Sequence, residues 1–438
     1  MKTPLRLLVG LALMLAAPAY AQTGNLTVGA AKVSVTPSAK MAPGLRNVWG
    51  TAFTGIHDPT WVRAIVIGNG ATEMALVTMD TSSTPPTLEL RQRIQRETGV
   101  PAGSILISAT HTHNAQAMGA PPDSRQFGTE GAAFTSLAEN ALVEVVRQAK
   151  ARRQPARMVT AIGRADLNVN RDEFIGTRWK TGRNPTRPSD KRVWVLRFET
   201  PAGEPLAYFV NYGVHALTLG PDNTLSTGDF PGATSRFIES YYKDKVVALW
   251  TSGAAGDQNL VASSWDLDDV LDHKVREPGE AGFQLADAMG RMLGEEAIRA
   301  ADESKDVTGA VRLWSKSKDI SCPGHKFDAA AYAKGEFRFN DAPAVPLHLD
   351  VLMLNDMALA GVAAEVVTNI YWRMQEASPA KKTMLVSLSN GRSTYIPDDA
   401  AYDMPIFEVR ASGMKRGCGE PGIVNGVSEL AAEGLAAK

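Results

Sequence analysis

Short apolar, β-branched runs alternate with segments of helical periodicity along most of this chain. The runs are short enough for strands, and polar or turn-forming residues bound them, which is typical of strands in a buried sheet. The runs cover residues 65–67, 74–79, 104–108, 193–198, 206–211, 246–250, 351–354, 357–362 and 384–388. We therefore predict strands at these positions, with helices between many of them.

The intervening segments carry apolar residues at the spacing of amphipathic helices. A helix is predicted over residues 85–97, with Thr84 as its N-cap, Pro85 in its first turn and Gly99 as its stop. Each such helix has one apolar face to bury against a sheet. Further helices are predicted at residues 134–146, 285–293 and 427–436.

This order of elements predicts an α/β or α+β fold with mixed β-sheets flanked by helices. We expect residues 22–438 to form a single large catalytic domain, and the sequence contains no internal repeat. Two polar stretches, residues 171–192 and 262–279, are long for connections in a compact domain. They are predicted to be irregular loops, either bordering a functional site or inserted at the surface.

The N-terminus has the pattern of a secretory signal peptide. Lys2 and Arg6 precede an apolar stretch over residues 7–17 that is too short to span a bilayer, and Ala19-Tyr20-Ala21 is a small-x-small cleavage site. Residues 1–21 are therefore predicted to be removed, so that the mature chain begins at Gln22. We expect a periplasmic or secreted protein with no transmembrane anchor after cleavage.

The composition is that of an ordinary globular chain, with 44% hydrophobic and 21% charged residues, so a sizeable core is expected. A formal net charge of -1 provides no basic surface for nucleic acid, and no such partner is expected. The two cysteines, Cys322 and Cys418, are expected to pair as a disulfide in an oxidising compartment. The oligomeric state is left open.

The strongest chemical signal is the segment Ser-Ala-Thr-His-Thr-His-Asn at residues 108–114, directly after an apolar strand. Successive side chains of a strand point to opposite faces, so His111 and His113 project to the same side. Neutral imidazole is the commonest protein ligand for zinc. The pair therefore indicates a metal site, although a hydrogen-bonded turn would account for an isolated His-Thr-His.

Three other ligand-type residues follow apolar strands in the same way. His215 follows the run at 209–214, Glu365 follows the run at 358–364, and Tyr395 lies in a turn-rich segment after a strand. Each alone is also compatible with a structural role, as a core histidine, a carboxylate at a helix start or a packed aromatic ring. Spacing does not assemble them into one site.

Short segments in one order over most of the chain extend this pattern. They are Gly55-Ile56-His57-Asp58-Pro59, Arg63-Ala64, Ser108 to His113, Asn170-Arg171, Val214-His215, Gly256-Asp257, Ala364-Glu365, Tyr395-Ile396-Pro397 and Phe407-Glu408. In content and order these segments resemble the neutral/alkaline ceramidase family. Members of that family are zinc amidases that cleave the amide of N-acylsphingosine.

The resemblance implies a ligand set for one zinc ion per chain, namely His111, His215, Glu365 and Tyr395. It also implies that His113 and Arg171 line the pocket around the scissile amide. Zinc lowers the pKa of bound water from about 15.7 to near 7, which would provide hydroxide to attack the amide carbonyl. Zinc, with His113 or Arg171, would stabilise the oxyanion. The proton donor to the leaving amine stays open among Glu365, Tyr395 and His113.

The chain also departs from the family pattern. Gln258 follows Gly256-Asp257 where the family usually has a serine, and Phe407 stands where a tyrosine usually precedes the last glutamate. Tyr402 is a candidate to replace that hydroxyl. Little length follows Cys418, so the family's additional C-terminal β-sandwich domain is not expected. A smaller N-acyl amide, or an ester, is therefore considered beside ceramide.

The leading hypothesis is an exported zinc-dependent amidohydrolase that acts on a small-molecule or lipid N-acyl amide. One alternative is a catalytically silent lipid- or carbohydrate-binding protein on the same scaffold. Another is a metal-dependent ester or phosphoester hydrolase. A serine hydrolase is excluded, because the segment around Ser252 lacks the glycine two residues before the serine that a nucleophile elbow needs.

Overall fold

A computed structural model describes residues 23–264 and 279–437 of the chain. The predicted signal peptide and most of the predicted loop at 262–279 lie outside the described residues. Among the helices of the described part, none combines the length and the apolar character needed to cross a bilayer.

Strands and helices alternate along the described chain. The strands are β1 (Thr23–Asn25), β2 (Thr27–Ser34), β3 (Gly55–Ile56), β4 (Trp61–Gly68), β5 (Glu73–Met79), β6 (Ile105–Ala109), β7 (Gln154–Pro155), β8 (Arg157–Arg164), β9 (Asn168–Ile175), β10 (Arg178–Asn184), β11 (Arg192–Glu199), β12 (Pro205–Tyr212), β13 (Leu225–Ser226), β14 (Val247–Ser252), β15 (Gln258–Leu260), β16 (Val307–Thr308), β17 (Ala310–Phe327), β18 (Phe339–Leu354), β19 (Met357–Val362), β20 (Glu365–Val366), β21 (Lys382–Ser387) and β22 (Tyr395–Ile396). The helices are α1 (Leu88–Thr98), α2 (Gly131–Ala151), α3 (Asp229–Tyr241), α4 (Gly279–Glu303), α5 (Ala329–Tyr332), α6 (Thr368–Ala377), α7 (Phe407–Ala411) and α8 (Gly419–Ala436).

Three five-stranded sheets repeat one topology. Their strand orders are β6-β5-β4-β2-β7, β14-β12-β11-β8-β16 and β21-β19-β18-β17-β1. In each sheet a first strand pairs with an antiparallel hairpin, a helix follows, and the chain returns as an edge strand parallel to the hairpin's second strand. We refer to these repeats as units 1, 2 and 3. The sequence did not predict this repetition, because it is a repetition of topology without repeated residues.

The inner faces of the three sheets meet in one apolar core. Ile65 of unit 1, Leu196 and Phe209 of unit 2, and Leu352 and Leu359 of unit 3 are buried together there. Alternate residues of the same strands face outward, and each outer face is covered by helices: α1 and α2, α3 and α4, or α6 and α8. Side chains alternate between the faces of a strand, so both faces of these strands are apolar. The predicted fold class, mixed sheets flanked by helices, is confirmed.

The boundaries of the predicted elements differ from the structure where local sterics decide. Helix α1 begins at Leu88 with Thr87 as its N-cap, three residues later than predicted. The residue before a proline is pushed toward extended backbone, so Pro86 prevents a helix from starting at Pro85. The predicted stop is confirmed, because Gly99 adopts the left-handed conformation with φ of 80°.

The prediction of a loop over residues 171–192 is wrong. Most of this stretch is the hairpin of β9 and β10, and β15 pairs with the other edge of β9. The hairpin lacks the alternation of apolar residues by which strands are recognised, because most of its buried positions are polar, among them Asn170 and Arg171. A polar stretch in this chain is therefore a regular hairpin and not an irregular loop.

The predicted disulfide is confirmed. Cys322 lies in β17 and Cys418 is the residue that precedes α8, and the two sulfur atoms are bonded. The bond fixes the last helix to the sheet that it covers.

We expect the double substitution Cys322→Ala and Cys418→Ala to lower the free energy of unfolding by about 4 kcal/mol, since the bond closes a long loop in the unfolded chain. The two cysteines are 96 residues apart. Urea unfolding of both proteins, with and without reductant, measures the effect. Reductant should destabilise only the protein that has the bond; equal stability of the two oxidised proteins would contradict the expectation.

Candidate metal centre

The six residues predicted for the site lie together where parallel strands of the three units end. His111 and His113 follow β6 of unit 1, and His215 follows β12 of unit 2. Glu365 follows β19 of unit 3 and pairs in register with Tyr395, as β20 with β22. Ligand sites of open α/β sheets occur beyond the carboxyl ends of their strands, and this site has that position.

Two imidazoles and one carboxylate meet at the centre of the cluster. The Nε2 atoms of His111 and His215 lie 3.3 Å and 3.0 Å from Oε2 of Glu365. The hydroxyl of Tyr395 lies 3.0 Å from Nε2 of His215. His111, His215 and Glu365 are buried, so their polar atoms are withdrawn from water.

Backbone carbonyls determine which ring nitrogens carry hydrogen. Nδ1 of His111 lies 2.8 Å from the carbonyl oxygen of Ser82, and Nδ1 of His215 lies 2.6 Å from that of Ala255. A carbonyl oxygen only accepts, so both Nδ1 atoms donate, and in the neutral imidazole Nε2 then presents a lone pair. With both imidazoles neutral, three electron-pair donors, the two Nε2 nitrogens and Oε2 of Glu365, face one another.

Such a donor set fits a divalent metal ion. Lone pairs about 3 Å apart repel one another unless a cation lies among them, and imidazole and carboxylate ligands suit zinc. A histidine that ligates a metal usually donates its other ring N–H to a carbonyl or carboxylate, as His111 and His215 do here. The residues present therefore fit a metal site, and the donor chemistry is compatible with the predicted zinc.

The backbone of His111 is held in an uncommon conformation. Its φ is 64°, in the left-handed region that non-glycine residues rarely adopt. The turn directs the imidazole toward the centre as the chain leaves β6. Strained residues of this kind cluster at functional sites, where the surrounding structure holds them in place.

His113 is the third imidazole of the cluster. One ring nitrogen from each of His111, His113 and His215 lies within 4.8 Å of the others. Nε2 of His113 is 3.3 Å from Nε2 of His111, and its ring packs against Trp49 at a centroid distance of 5.2 Å. Nδ1 of His113 is buried without a hydrogen-bond partner in the described chain. By geometry alone, His113 is close enough to be either a ligand or a pocket residue.

Arg171 lies beside both Tyr395 and His215. Its Nε donates to Oε1 of Glu408 at 2.6 Å, and both side chains are buried. The guanidinium carbon lies 5.4 Å from the centroid of the Tyr395 ring and 5.0 Å from that of Phe407. Nη2 of Arg171 and Oε2 of Glu408 are buried without partners. The pair thus leaves one free donor, Nη2 of Arg171, near the cluster.

Burial dominates the electrostatics of these groups. It lowers the pKa of His113 well below the ordinary histidine value, and His111 lowers it further. Burial and the guanidinium of Arg171 lower the pKa of His215 to about 4. Burial raises the pKa of Glu365, but His111 and His215 outweigh it and bring that pKa well below its ordinary value. His113 and His215 are therefore neutral, and Glu365 is ionised, at neutral pH.

The lowered pKa of His215 predicts a pH dependence of stability in the metal-free protein. Between about pH 6.5 and 4 the unfolded chain binds a proton at this imidazole and the folded chain does not. Stability from this group is therefore fully present above pH 6.5 and is lost as the pH falls. We expect the free energy of unfolding to fall by about 3 kcal/mol more in the wild type than in His215→Gln across this range. Urea unfolding of both chelated proteins measures it, and parallel pH profiles would contradict it.

Two positions at which the chain departs from the family pattern have structural roles. Gln258 is buried, and its amide donates to Pro188 O and to Thr368 Oγ1. The suggestion that Tyr402 replaces the missing hydroxyl is wrong, because its hydroxyl donates to Met414 O at 2.8 Å. Phe407 instead places an apolar ring edge-on to Tyr395.

Several parts of the site were not predicted. The carbonyls of Ser82 and Ala255 orient the two imidazoles, but any residue carries a carbonyl, so no sequence signal marks them. Trp49, which packs on His113, lies far from every predicted strand end. Glu408 belongs to a quoted segment, yet its pairing with Arg171 depends on a contact across 237 positions.

A family model matches half of the chain. The model for "Neutral/alkaline non-lysosomal ceramidase, N-terminal" matches residues 46–267, which include His111, His113, Arg171 and His215. Glu365 and Tyr395 lie beyond the matched region.

Relatives and solved structures agree with this match. The chain is 29% identical over 164 residues to neutral ceramidase B of Dictyostelium discoideum, covering 35% of this chain and 22% of that protein. It is 23% identical over 337 residues to the neutral ceramidase of Drosophila melanogaster, covering 68% and 48%. The chain thus spans from about a fifth to about half of the length of the curated relatives it matches.

The fold is that of two solved structures. The neutral ceramidase of Pseudomonas aeruginosa superimposes with a TM-score of 0.73 at 17% identity, covering 94% of this chain and 74% of that one. A structure described as a ceramidase complexed with C2 gives 0.72 at 16% identity, covering 94% and 75%.

Proposed function

We propose that this chain, which belongs to the neutral/alkaline non-lysosomal ceramidase family, is an exported zinc-dependent hydrolase of N-acyl amides. Ceramide or a smaller N-acyl compound is the proposed substrate class, and residues 22–438 are the proposed catalytic domain. One observation carries the proposal. The Nε2 atoms of His111 and His215 converge on the carboxylate of Glu365, while their Nδ1 atoms are held by backbone carbonyls.

The proposed ligands of one zinc ion are His111, His215, Glu365 and Tyr395. When bound, zinc would activate water at neutral pH and polarise the amide carbonyl. Burial and the neighbouring Glu365 raise the pKa of Tyr395 in the metal-free protein. A divalent cation would reverse that effect, since it favours the ionised form of a nearby oxygen.

We assign to Arg171 and His113 roles in binding the substrate and in its reaction. Buried polar atoms are almost always paired, so the free Nη2 of Arg171 and the free Nδ1 of His113 require partners that the substrate can supply. Arg171 is proposed to donate to the amide oxygen as negative charge develops on it. His113 is neutral, so it can accept a proton from the attacking water, and we assign to it the transfer of that proton to the leaving nitrogen.

A second candidate function is lipid binding without catalysis. Phe407 favours it, because its ring lies against Tyr395 and has no hydroxyl to offer to a substrate carbonyl. A metal-dependent ester hydrolase is a third candidate, since the same groups would act on an ester carbonyl.

Metal analysis and product analysis test the proposal together. The purified protein is assayed for zinc and then incubated with ceramide, short N-acyl amines and matched esters. We expect one zinc per chain and release of fatty acid and amine from the amides. A folded protein that takes up no zinc would refute the metal site. Full zinc with no turnover of any amide would favour the binding protein, and turnover of esters alone would favour the esterase.

A further inference from the structure

We propose that a cavity beside the metal centre binds a carboxylate of the substrate, and that Arg392 and Thr84 recognise it. The inference rests on the proposed function and narrows its substrate class to N-acyl amides that carry an acidic group close to the amide. The cavity has a volume of about 310 Å³. Its wall includes Thr84, Pro85, Pro86, Met118, Pro121 and Arg392.

The cavity adjoins the metal centre along two segments. Thr84 lies two residues after Ser82, whose carbonyl accepts from Nδ1 of His111. Arg392 lies three residues before Tyr395, and its Nη2 is 3.9 Å from Oε1 of Glu365. A ligand bound to Arg392 in this cavity would therefore lie close to the carboxylate of Glu365 in the metal centre.

The guanidinium of Arg392 forms no hydrogen-bonded ion pair in the described chain. The nearest carboxylate, that of Glu365, directs its other oxygen, Oε2, to His111 and His215, so the charge of Glu365 serves the metal centre. Within residues 23–264 and 279–437, no group accepts a hydrogen bond from this guanidinium, whose side chain is 44% exposed. Arg171, by contrast, is paired with Glu408 at 2.6 Å. A neutral amide lipid offers this guanidinium only uncharged oxygen acceptors, whereas a carboxylate would also neutralise its charge.

The position of Arg392 is set by a rigid turn. The side chain of Asn390 is buried, accepts at Oδ1 from the N–H of Ile107 at 3.0 Å, and donates from Nδ2 to the carbonyl of Ile105 at 3.0 Å. These bonds fix the turn to β6, the strand that leads to His111. The turn thus fixes the backbone from which Arg392 extends, and a planar guanidinium suits a carboxylate, which it can bind through two parallel hydrogen bonds.

Thr84 supplies a second, independent donor. Its side chain is 2% exposed, and Oγ1 has no hydrogen-bond partner in the described chain. An unpaired buried hydroxyl is costly, so a polar ligand atom is the expected partner. The prolines and Met118 provide an apolar part of the wall that suits a short methylene chain. Together, the two donors and the apolar part of the wall suit a ligand that has both a carboxylate and a short apolar segment.

Paired substrates test this inference. N-hexanoylglycine and N-succinylpropylamine carry the carboxylate on the amine side and on the acyl side, and N-hexanoylpropylamine is the neutral reference. N-hexanoylaminomethylphosphonate replaces the carboxylate by a phosphonate. We expect kcat/KM for one carboxylate isomer to exceed that of the neutral amide at least tenfold, with the phosphonate behind it.

Substitutions identify the residues responsible. We expect Arg392→Gln to lower the carboxylate-to-neutral ratio of kcat/KM about tenfold, mainly through KM, and Arg392→Lys to recover part of it. Thr84→Val should lower the ratio a few-fold. Arg416→Gln is the matched control, because Arg416 is similarly exposed and pairs with Asp403 instead. Its ratio should equal that of the wild type.

The outcomes separate this inference from the proposed function. Calorimetric binding of the same compounds to the zinc-loaded protein gives a readout that does not need turnover. Hydrolysis of the neutral amide with no preference for a carboxylate, or equal affinity for both, would overturn the inference and leave the function intact. Tighter binding of a carboxylate that depends on Arg392, with no hydrolysis, would support the inference and count against the amidase. Preference for the phosphonate would replace the carboxylate assignment.

Discussion

Glu365→Ala is expected to remove the bound metal and to lower amide turnover by at least about 1,000-fold. Without the metal, the enzyme would lose the positive charge that activates water and polarises the amide carbonyl. Glu365 is the carboxylate that both buried imidazoles approach. Without it, two imidazoles and the oxygen of Tyr395 would have to hold a divalent ion in a buried site that has lost its carboxylate. Zinc content and kcat/KM of the purified variant measure the two effects.

The matched control for this prediction is Glu376→Ala, which removes an exposed carboxylate from α6. It should retain both zinc and activity. His111→Ala should reproduce the loss of metal, and the double variant with Glu365→Ala should be no worse than either single variant, because groups that act as one unit are not additive. A Glu365→Ala protein that keeps stoichiometric zinc would show that the carboxylate is not a ligand.

Arg171→Met is expected to destabilise the protein by about 3–5 kcal/mol and to abolish measurable turnover. The guanidinium is buried against Glu408, which is itself fully buried, so removal of the cation leaves an uncompensated charge in the interior. Glu408 also adjoins Asp172, whose pKa burial and that neighbour raise well above its usual range. This second acidic group makes the loss of Arg171 more severe.

A double variant separates the structural role of Arg171 from its role in the reaction. Arg171→Met with Glu408→Leu removes both charges, and we expect it to regain most of the lost stability while remaining inactive. Urea unfolding and zinc content are measured beside activity. The control is Arg338→Met at the exposed pair with Asp328, which should change stability by less than about 1 kcal/mol. Recovery of activity in the double variant would exclude a direct role for Arg171.

The strand ends from which the site residues project could be predicted from the sequence. The contacts that bring these strand ends together could not. Apolar runs predicted β6 and β12, and hence the positions from which His111 and His215 project. Nothing in the spacing brings Glu365 to them; that assignment came from the resemblance to the family. The contacts that join these residues cross from one unit to another. His215 and Glu365, for example, are 150 positions apart in the sequence.

The parts that escaped prediction are those in which polar residues are buried. The sequence of the β9–β10 hairpin has the character of a loop because most of its buried positions, such as Asn170 and Arg171, are not apolar. The cavity beside Arg392 was missed for a related reason, since the donors that define it are significant only because they lack partners. A sequence shows which groups are polar, and the structure shows which of them are left unpaired.

The shared topology of the three units bears on when the protein can become active. His111, His215 and Glu365 come from different units, so a chain with only two units assembled would keep much of its secondary structure and yet contain no complete ligand set. In the proposed enzyme, hydrolytic activity would therefore begin only with the last folding step.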